Sequence, residues 1–448
     1  MPPGPRIPRA LQTLIFIAGP RRFFDWTQRR YGGIVHLGTL FDPSFVMVFD
    51  PELIRQVFQA PSDRLRAGEA NEVLRPALGD RSVLLLDGDE HLRQRRLMLP
   101  PFHGPRMKAY ESVMREAADA AIDSWPLDEP FALLPSMRSL TLSVIARAVF
   151  GVEDGARRQE LEDALRAMIA PVATRFGLFA FLLSGGRLGT RRVVQEFEKK
   201  RARVDRLIYD EIAKRRQATD LEQREDVFSM LLLARDENGQ PLTDQELRDE
   251  LVTLLVAGHE TTATGLAWAF DLVLRTPRVR AELERAVADG DERYIDAAVK
   301  EALRARPVVP GIGRVVRGGP FELGGYTIPE GTEINPSISV IHRLPGYFPT
   351  PREFRPERFL GEDPPDTYTW IPFGGGIRRC LGASFAQFEM RVVIERVIAR
   401  TRLEPVGERP EEAVRAGITL VPKTGTQVVV RERRDAPVAP SQVAEALS

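Results

Sequence analysis

The chain of 448 residues has a single cysteine, Cys380, so it can form no internal disulfide and no zinc site built from several thiolates. That fits a reducing compartment, and it leaves the thiol two readings, an inert core residue or a functional thiolate. An excess of one charge is also missing. With 63 basic against 63 acidic residues the formal charge is zero, so no overall field draws in nucleic acid or anionic lipid, and nucleic-acid binding has no support. Lysine is scarce, 57 of the basic residues being arginine, and no run of them is long enough to read as a basic arm. A clean membrane-spanning run is lacking too. The apolar residues Leu14 to Ala18 behind Arg6 and Arg9 are too few for a signal peptide and read as a packing helix. The stretch Leu251 to Phe270 has spanning length, but His259, Glu260 and several threonines sit at its centre, where charge in lipid is expensive. No membrane span is expected. Neither an internal period nor a low-complexity linker divides the chain.

What is present is globular: 43% hydrophobic and 28% charged residues, in a chain long enough to bury about 75% of its unfolded surface without staples. One continuous domain over 1–434 is expected, with 435–448, rich in Pro, Ala and Ser, as a frayed tail. Helical periodicity dominates from about residue 90 to 305. Strand signals gather elsewhere, in Ile34 to Leu37, in Phe45 to Val48, and in Phe321 to Ile328, where Gly324 and Gly325 supply a hairpin turn. The fold class is mainly α with a smaller β portion.

One helix stands out. Thr243 and Glu246 form a capping box that opens a segment free of proline up to Pro277. The positions 244 to 276 would span about 50 Å and cross the whole domain. Its middle turns polar where burial should be deepest, at Ala257-Gly258-His259-Glu260-Thr261-Thr262. Glycine lowers helix propensity, and a threonine hydroxyl that bonds the carbonyl four residues back bends a helix, so a local opening is expected from Ala257 to Thr261. A helix that faces a water-filled cavity for packing reasons alone is the other reading.

Around the cysteine the sequence runs Phe373-Gly374-Gly375-Gly376-Ile377-Arg378-Arg379-Cys380-Leu381-Gly382, followed by a helical pattern from Ala383 to about Thr401. A helix start offers free N–H groups and positive potential, Arg378 adds charge, and glycines let the backbone approach something flat closely. Phe373, Gly376, Arg378, Cys380 and Gly382 meet every position of the F-x-x-G-x-R-x-C-x-G signature, and here the chain resembles the cytochromes P450, the haem-thiolate monooxygenases. Composition alone would place the other four residues around one cysteine about 4 times in 100,000.

The resemblance implies the cytochrome P450 fold, with the long central helix over haem b (iron protoporphyrin IX), and a role for each matching residue. Cys380 would be the proximal ligand of the haem iron, its electron donation favouring O–O cleavage. Gly376 and Gly382 would permit close backbone approach, Phe373 would pack over the sulfur, and Arg378 would pair with a haem propionate. Glu301 and Arg304 fit the family's E-x-x-R pattern, and Pro356-Glu357-Arg358-Phe359 resembles the later segment whose arginine completes a structural triad. His91 and Arg95 fit an H-x-x-x-R pair that reaches the propionates, and Arg314 fits a third contact. A solvated surface histidine is the plain alternative for His91. Ala257 to Thr262 match the oxygen-binding segment, Ala257 lying against the haem and Glu260 with Thr261 as the acid–alcohol pair that delivers protons, while His259 points elsewhere.

By the same resemblance, Pro2-Pro3-Gly4-Pro5 looks like the hinge that follows the membrane anchor of microsomal members; here the anchor is absent, and a soluble, cytoplasmic, monomeric protein of bacterial type is expected. Its partners would be O2, an apolar small molecule, and a ferredoxin or flavodoxin with its reductase, docked over Arg379 and Arg391. Hydroxylation or epoxidation of a lipid, terpenoid, steroid or polyketide-like substrate is the implied reaction. The apolar segments 83–86, 176–183, 308–312 and 418–420 are candidate pocket linings or plain core. A peroxide-driven peroxygenase or isomerase, which the intact Glu260–Thr261 pair disfavours, and a non-catalytic haem carrier or sensor are the alternatives.

Overall fold

The computed structural model describes residues 1–40, 42, 44–102, 106–151, 155–169 and 191–435. The segment 176–183 and all of the expected tail but Asp435 lie outside them.

The long helix runs Asp244–Leu274. Its capping box forms as the sequence requires: the Thr243 hydroxyl accepts from the Glu246 amide at 3.2 Å, and the Glu246 carboxylate accepts from the Thr243 amide at 2.7 Å. The helix stops two residues short of the expected end. Pro277 excludes the helical conformation from the residue before it, and Thr276 turns to φ −123°, ψ 85° as the cap of the next helix, Pro277–Asp289. Of its 31 residues 21 are buried, which makes it a core helix rather than a surface one. It packs on Leu133–Phe150, Arg191–Arg216, Glu292–Ala305 and Ala383–Arg400.

Leu133–Phe150 is the one described helix long and apolar enough to cross a membrane, and 67% of it is buried against its neighbours. The N-terminal apolar run lies in the helix Arg9–Ala18, as expected.

The β portion lies beside this helical mass. A five-stranded sheet has the order Ile34–Leu37, Phe45–Val48, Glu333–Pro336, Arg314–Val316, Leu65–Arg66; only the pairing of the second strand with the third is parallel. Phe321–Leu323 and Tyr326–Ile328 form the expected hairpin, with Gly324 and Gly325 at φ 59° and 78°, the left-handed pair a two-residue turn demands. A second hairpin, Ala413–Ala416 with Thr419–Pro422, reaches back to the long helix, where the Trp268 indole N–H donates to the Leu420 carbonyl at 2.9 Å.

Candidate functional site

The cysteine loop is held in a tight reverse path. The Cys380 amide donates to the Phe373 carbonyl at 3.0 Å, and Gly374 and Gly376 take φ 68° and 63°. Gly376 is a glycine for a reason the sequence reading did not contain. A Cβ there would stand 2.1 Å from the Phe58 carbonyl oxygen, so Phe58 by itself already demands the missing side chain. Gly382 is the N-cap of Ala383–Arg400, and nothing among the described residues lies within 4 Å of where its Cβ would be.

The Cys380 side chain is open to solvent, yet protein surrounds it closely enough for burial to push the thiol up. Both hold for a group that lines an internal hollow. The Gly382 N–H on the sulfur and the charges of Arg95 and Arg379 act the other way and favour thiolate. Phe373 is half-buried and packs edge-on to Trp370, ring centroids 6.3 Å apart.

Beside the thiol stands an excess of positive charge. His91, on the helix Gly88–Met98, is 2% exposed, so it is no surface histidine. Burial, then Arg378, Arg95 and Arg314, drive its pKa down to about 3, and its Nδ1 has no partner. Arg95 forms no hydrogen bond or ion pair among the described residues, and burial lowers its pKa. Arg314 donates only to the neighbouring Gly313 carbonyl, at 2.7 Å, and burial with the charge of Arg378 lowers it to about 10. Arg378, also lowered to about 10 by burial, is already engaged, donating to the Leu86 carbonyl at 2.5 Å and pairing with Asp87. A half-buried arginine, a buried arginine and an orphaned buried imidazole thus lack an ion-pair partner among the described residues, next to a lone thiol and an open glycine. A flat group with an iron at its centre and two carboxylates at its edge fits this donor set, the thiolate for the iron and His91, Arg95 and Arg314 for the carboxylates.

The long helix presents the other side. The helix runs unbroken through Ala257–Thr261, which corrects the expected opening: the Thr261 and Thr262 hydroxyls bond the Ala257 and Gly258 carbonyls at 2.6 and 2.9 Å while the backbone stays helical. Ala257 is exposed although it lies in mid-helix. His259 is 5% exposed and its Nδ1 meets the Leu255 carbonyl at 2.9 Å, a packed residue as expected. Glu260 receives the Arg138 guanidinium at 2.5 Å.

The three residues of the expected triad come together. Arg304 donates to both Glu301 oxygens at 2.7 and 2.9 Å, both side chains have no exposure, and Arg358 reaches Glu301 at 3.3 Å. Arg304 also donates to the His342 carbonyl at 2.8 Å, while the Glu301 carboxylate accepts the Arg355 amide at 3.0 Å.

One expected surface residue differs. Arg391 is 16% exposed and tied to Glu292 and Asp296, because its neighbours on Glu292–Ala305 are acidic; Arg379 remains exposed and unpaired among the described residues. Sequence reasoning also missed Arg138, Asp87, His342 and Glu250, whose partners lie far away along the chain. Asp87 accepts the amides of Ala67, Gly68 and Glu69 at 3.0, 2.9 and 3.2 Å as well as holding Arg378, and fully buried Glu250 accepts the Val83 amide at 2.7 Å. These two straps fix residues 83–87 between the long helix and the cysteine loop.

Comparison with known proteins agrees over the full length. The Cytochrome P450 family model matches residues 1–429. Putative cytochrome P450 135B1 of Mycobacterium tuberculosis is 40% identical over 446 residues, covering 97% of this chain and 92% of that protein. Putative cytochrome P450 137 of the same species is 38% identical over 440 residues, with the same coverages. Among solved structures, retinoic acid-bound cyanobacterial CYP120A1 superposes with a TM-score of 0.81 at 25% identity, covering 96% of this chain and 99% of that one. The cytochrome P450DA haem domain gives 0.83 at 24% identity over 96% and 98%, a likeness of fold.

Proposed function

The chain belongs to the cytochrome P450 family, and we propose that this haem b monooxygenase oxidises an apolar small molecule with electrons from a separate ferredoxin or flavodoxin and its reductase. When bound, the haem activates O2 so that one oxygen atom enters the substrate and the other leaves as water, with two electrons and two protons consumed. The chain's own residues do the rest. Cys380 supplies the thiolate, which Arg95, Arg379 and the Gly382 N–H favour electrostatically. His91, Arg95 and Arg314 receive the propionates, and Arg378 braces them from its hydrogen bonds to the 83–87 strap. Glu301, Arg304 and Arg358 hold the segment behind the cysteine loop rather than touching the reacting atoms.

Thr261 and Glu260 move protons. The Thr261 hydroxyl lies beside exposed Ala257, where it can keep a water in place, and Glu260 passes protons inward from its ion pair with Arg138. The observation that carries the reading is a pair of arginines without an ion-pair partner among the described residues, half-buried Arg95 and buried Arg314, with the orphaned His91 imidazole, beside the single thiol. Hydroxylation or epoxidation of a lipid, terpenoid, steroid or polyketide-like substrate is in range, and an apolar acid such as the retinoic acid of the cyanobacterial neighbour belongs to that range. A cytoplasmic monomer acting as one domain over 1–434 completes the proposal.

The test is the carbon monoxide difference spectrum of the reduced protein. The wild type gives the red-shifted Soret band of thiolate ligation, and Cys380→His loses that shift while keeping some haem. A wild-type band without the shift refutes the assignment.

A further inference from the structure

Asp87 is the N-cap of the helix Gly88–Met98, where an aspartate ordinarily accepts the second or third amide of its own helix. Here it makes no such bond. The carboxylate turns the other way, Oδ1 accepting the amides of Ala67 and Gly68 at 3.0 and 2.9 Å and Oδ2 that of Glu69 at 3.2 Å. Oδ1 also holds the Arg378 guanidinium. Gly68 must be glycine for this arrangement, since a Cβ on it would stand 2.2 Å from the Leu85 carbonyl oxygen and 2.8 Å from Asp87 Oδ2.

Arg378 is fixed by the same segment, donating to the Val83 carbonyl at 3.3 Å and the Leu86 carbonyl at 2.5 Å besides meeting Asp87. Its Nε makes no hydrogen bond among the described residues. The Arg378 side chain is 10% exposed and that of Asp87 18%, so solvent ions screen this pair less than a surface pair. Of the charges that act on Arg314 and Arg378, Asp87 alone is negative among the described residues. It cancels one unit in a group of side chains that otherwise only accumulates positive charge.

Charge beside a haem acts on its reduction potential, because the ferrous state carries one positive charge less than the ferric. A nearby carboxylate favours ferric iron, and an uncompensated guanidinium favours ferrous. We propose that Asp87 is a positioning residue that orients Arg378 for the haem carboxylates and, by cancelling its charge, holds the haem reduction potential down. This rests on the haem-thiolate reading above. A strap that only ties residues 67–69 to the start of the helix Gly88–Met98 would need the same hydrogen bonds but not the charge.

Two substitutions separate charge from strap in the full-length, haem-loaded protein. Asp87→Asn keeps the shape and an acceptor oxygen for the amides but removes the charge, whereas Gly68→Ala keeps the charge and disturbs the nest. Spectroelectrochemical titration reads the ferric–ferrous midpoint, and thermal melting reads the strap. Asp87→Asn shifts the equilibrium toward ferrous iron by about tenfold, a midpoint raised by about 59 mV for one electron, with the carbon monoxide band still red-shifted. Gly68→Ala lowers the melting temperature and leaves the ferric–ferrous equilibrium within about threefold of the wild type. The proposal is overturned if Asp87→Asn stays within that same range, or if Gly68→Ala moves the midpoint as far as Asp87→Asn does. Should Asp87→Asn not retain haem, Asp87→Glu decides in its place, because it keeps the charge while leaving the nest: an equilibrium within about threefold of the wild type supports the proposal and a larger rise overturns it. Failure of the haem-thiolate reading looks different, because the wild type itself then lacks the red-shifted band.

Discussion

The Arg138 guanidinium meets the Glu260 carboxylate at 2.5 Å and thereby links the helix Leu133–Phe150 to the middle of the long helix. Arg138 is 33% exposed and Glu260 14%, so the pair bridges solvent and core. A carboxylate that alternates between Arg138 and the interior can carry protons along that line. Glu260→Gln removes the titrating group and lowers the product formed per reduced nicotinamide, with the assisted step slowed by about 10²–10⁴. Arg138→Gln unpins the carboxylate without removing it and gives a smaller loss, with stability changed by about 1 kcal/mol or less because the pair is partly solvated. Wild-type coupling in Glu260→Gln would remove the relay role.

Thr261 and Thr262 make the same bond to the carbonyl four residues back, yet Thr262 is 4% exposed and Thr261 is half-buried beside open Ala257. The neighbours therefore separate helix geometry from proton delivery. Thr261→Ala keeps folding and the carbon monoxide spectrum but diverts electrons to hydrogen peroxide, whereas Thr262→Ala leaves coupling near the wild type. Peroxide and product are measured per reduced nicotinamide with any turned-over substrate. Equal coupling in both variants contradicts the role given to Thr261.

The parts of the site legible in sequence are those carried by short spacing. Glu301 and Arg304 are three apart on one helix, His91 and Arg95 four apart, and Thr243 with Glu246 closes a cap within one turn. Local geometry fixes what such pairs can reach. The illegible parts are contacts across the fold. Arg138 meets Glu260 over 122 positions, Val83 meets Glu250 over 167, and Arg378 meets Asp87 over 291. No periodicity in the chain announces them. Arg391 shows the converse: its place near the cysteine was readable, but its acids Glu292 and Asp296 come from another helix.

His91 and His342 are both held at about 3, each first by burial and then by arginines, Arg378, Arg95 and Arg314 for the one and Arg304 for the other. Their ordinary value is 6.5, so the unfolded chain takes up protons that the folded chain refuses. Stability from these two groups is therefore complete above pH 6.5 and is lost as pH falls toward 3. Each histidine costs about 2 kcal/mol at pH 5 relative to neutrality. Urea unfolding of the apoprotein at pH 7 and pH 5 measures this, and His342→Gln shows a smaller loss on acidification than the wild type. With the haem carboxylates seated beside His91 as proposed, loading with haem would also reduce it, because a neighbouring negative charge raises the pKa of a histidine. An identical pH slope in His342→Gln speaks against the assignment.

On the proposed reading, electron-donor docking is expected at Arg379 rather than Arg391, since the first is exposed and unpaired among the described residues and the second is held by acids. Arg379→Glu weakens ferredoxin binding and flattens its dependence on salt, while Arg391→Gln has the smaller effect. Ferredoxin affinity measured at low and high ionic strength decides. Identical salt slopes for wild type and Arg379→Glu remove the electrostatic part of the claim.

The Glu301–Arg304 pair has little tolerance of change. Neither side chain has any exposure, and each makes further bonds, Glu301 to the Arg355 amide and Arg358, Arg304 to the His342 carbonyl and, at 3.3 Å, the Glu353 carbonyl. Phe348 covers the Arg304 guanidinium, 5.3 Å from ring centroid to Cζ. Removing Glu301 leaves a buried guanidinium without its carboxylate, and removing Arg304 leaves a buried carboxylate, at a cost of about 3–5 kcal/mol in either case. That is a large part of the 5–15 kcal/mol that typically holds a domain together. Glu301→Ala and Arg304→Ala therefore give little folded, haem-loaded protein. Glu301→Gln separates charge from shape: it retains an acceptor for the Arg355 amide but not the countercharge, so it yields more holoprotein than Glu301→Ala and less than the wild type. Haem content per folded chain and the urea midpoint are the readouts. Wild-type haem incorporation in Arg304→Ala would show that the cysteine loop holds its shape without the triad.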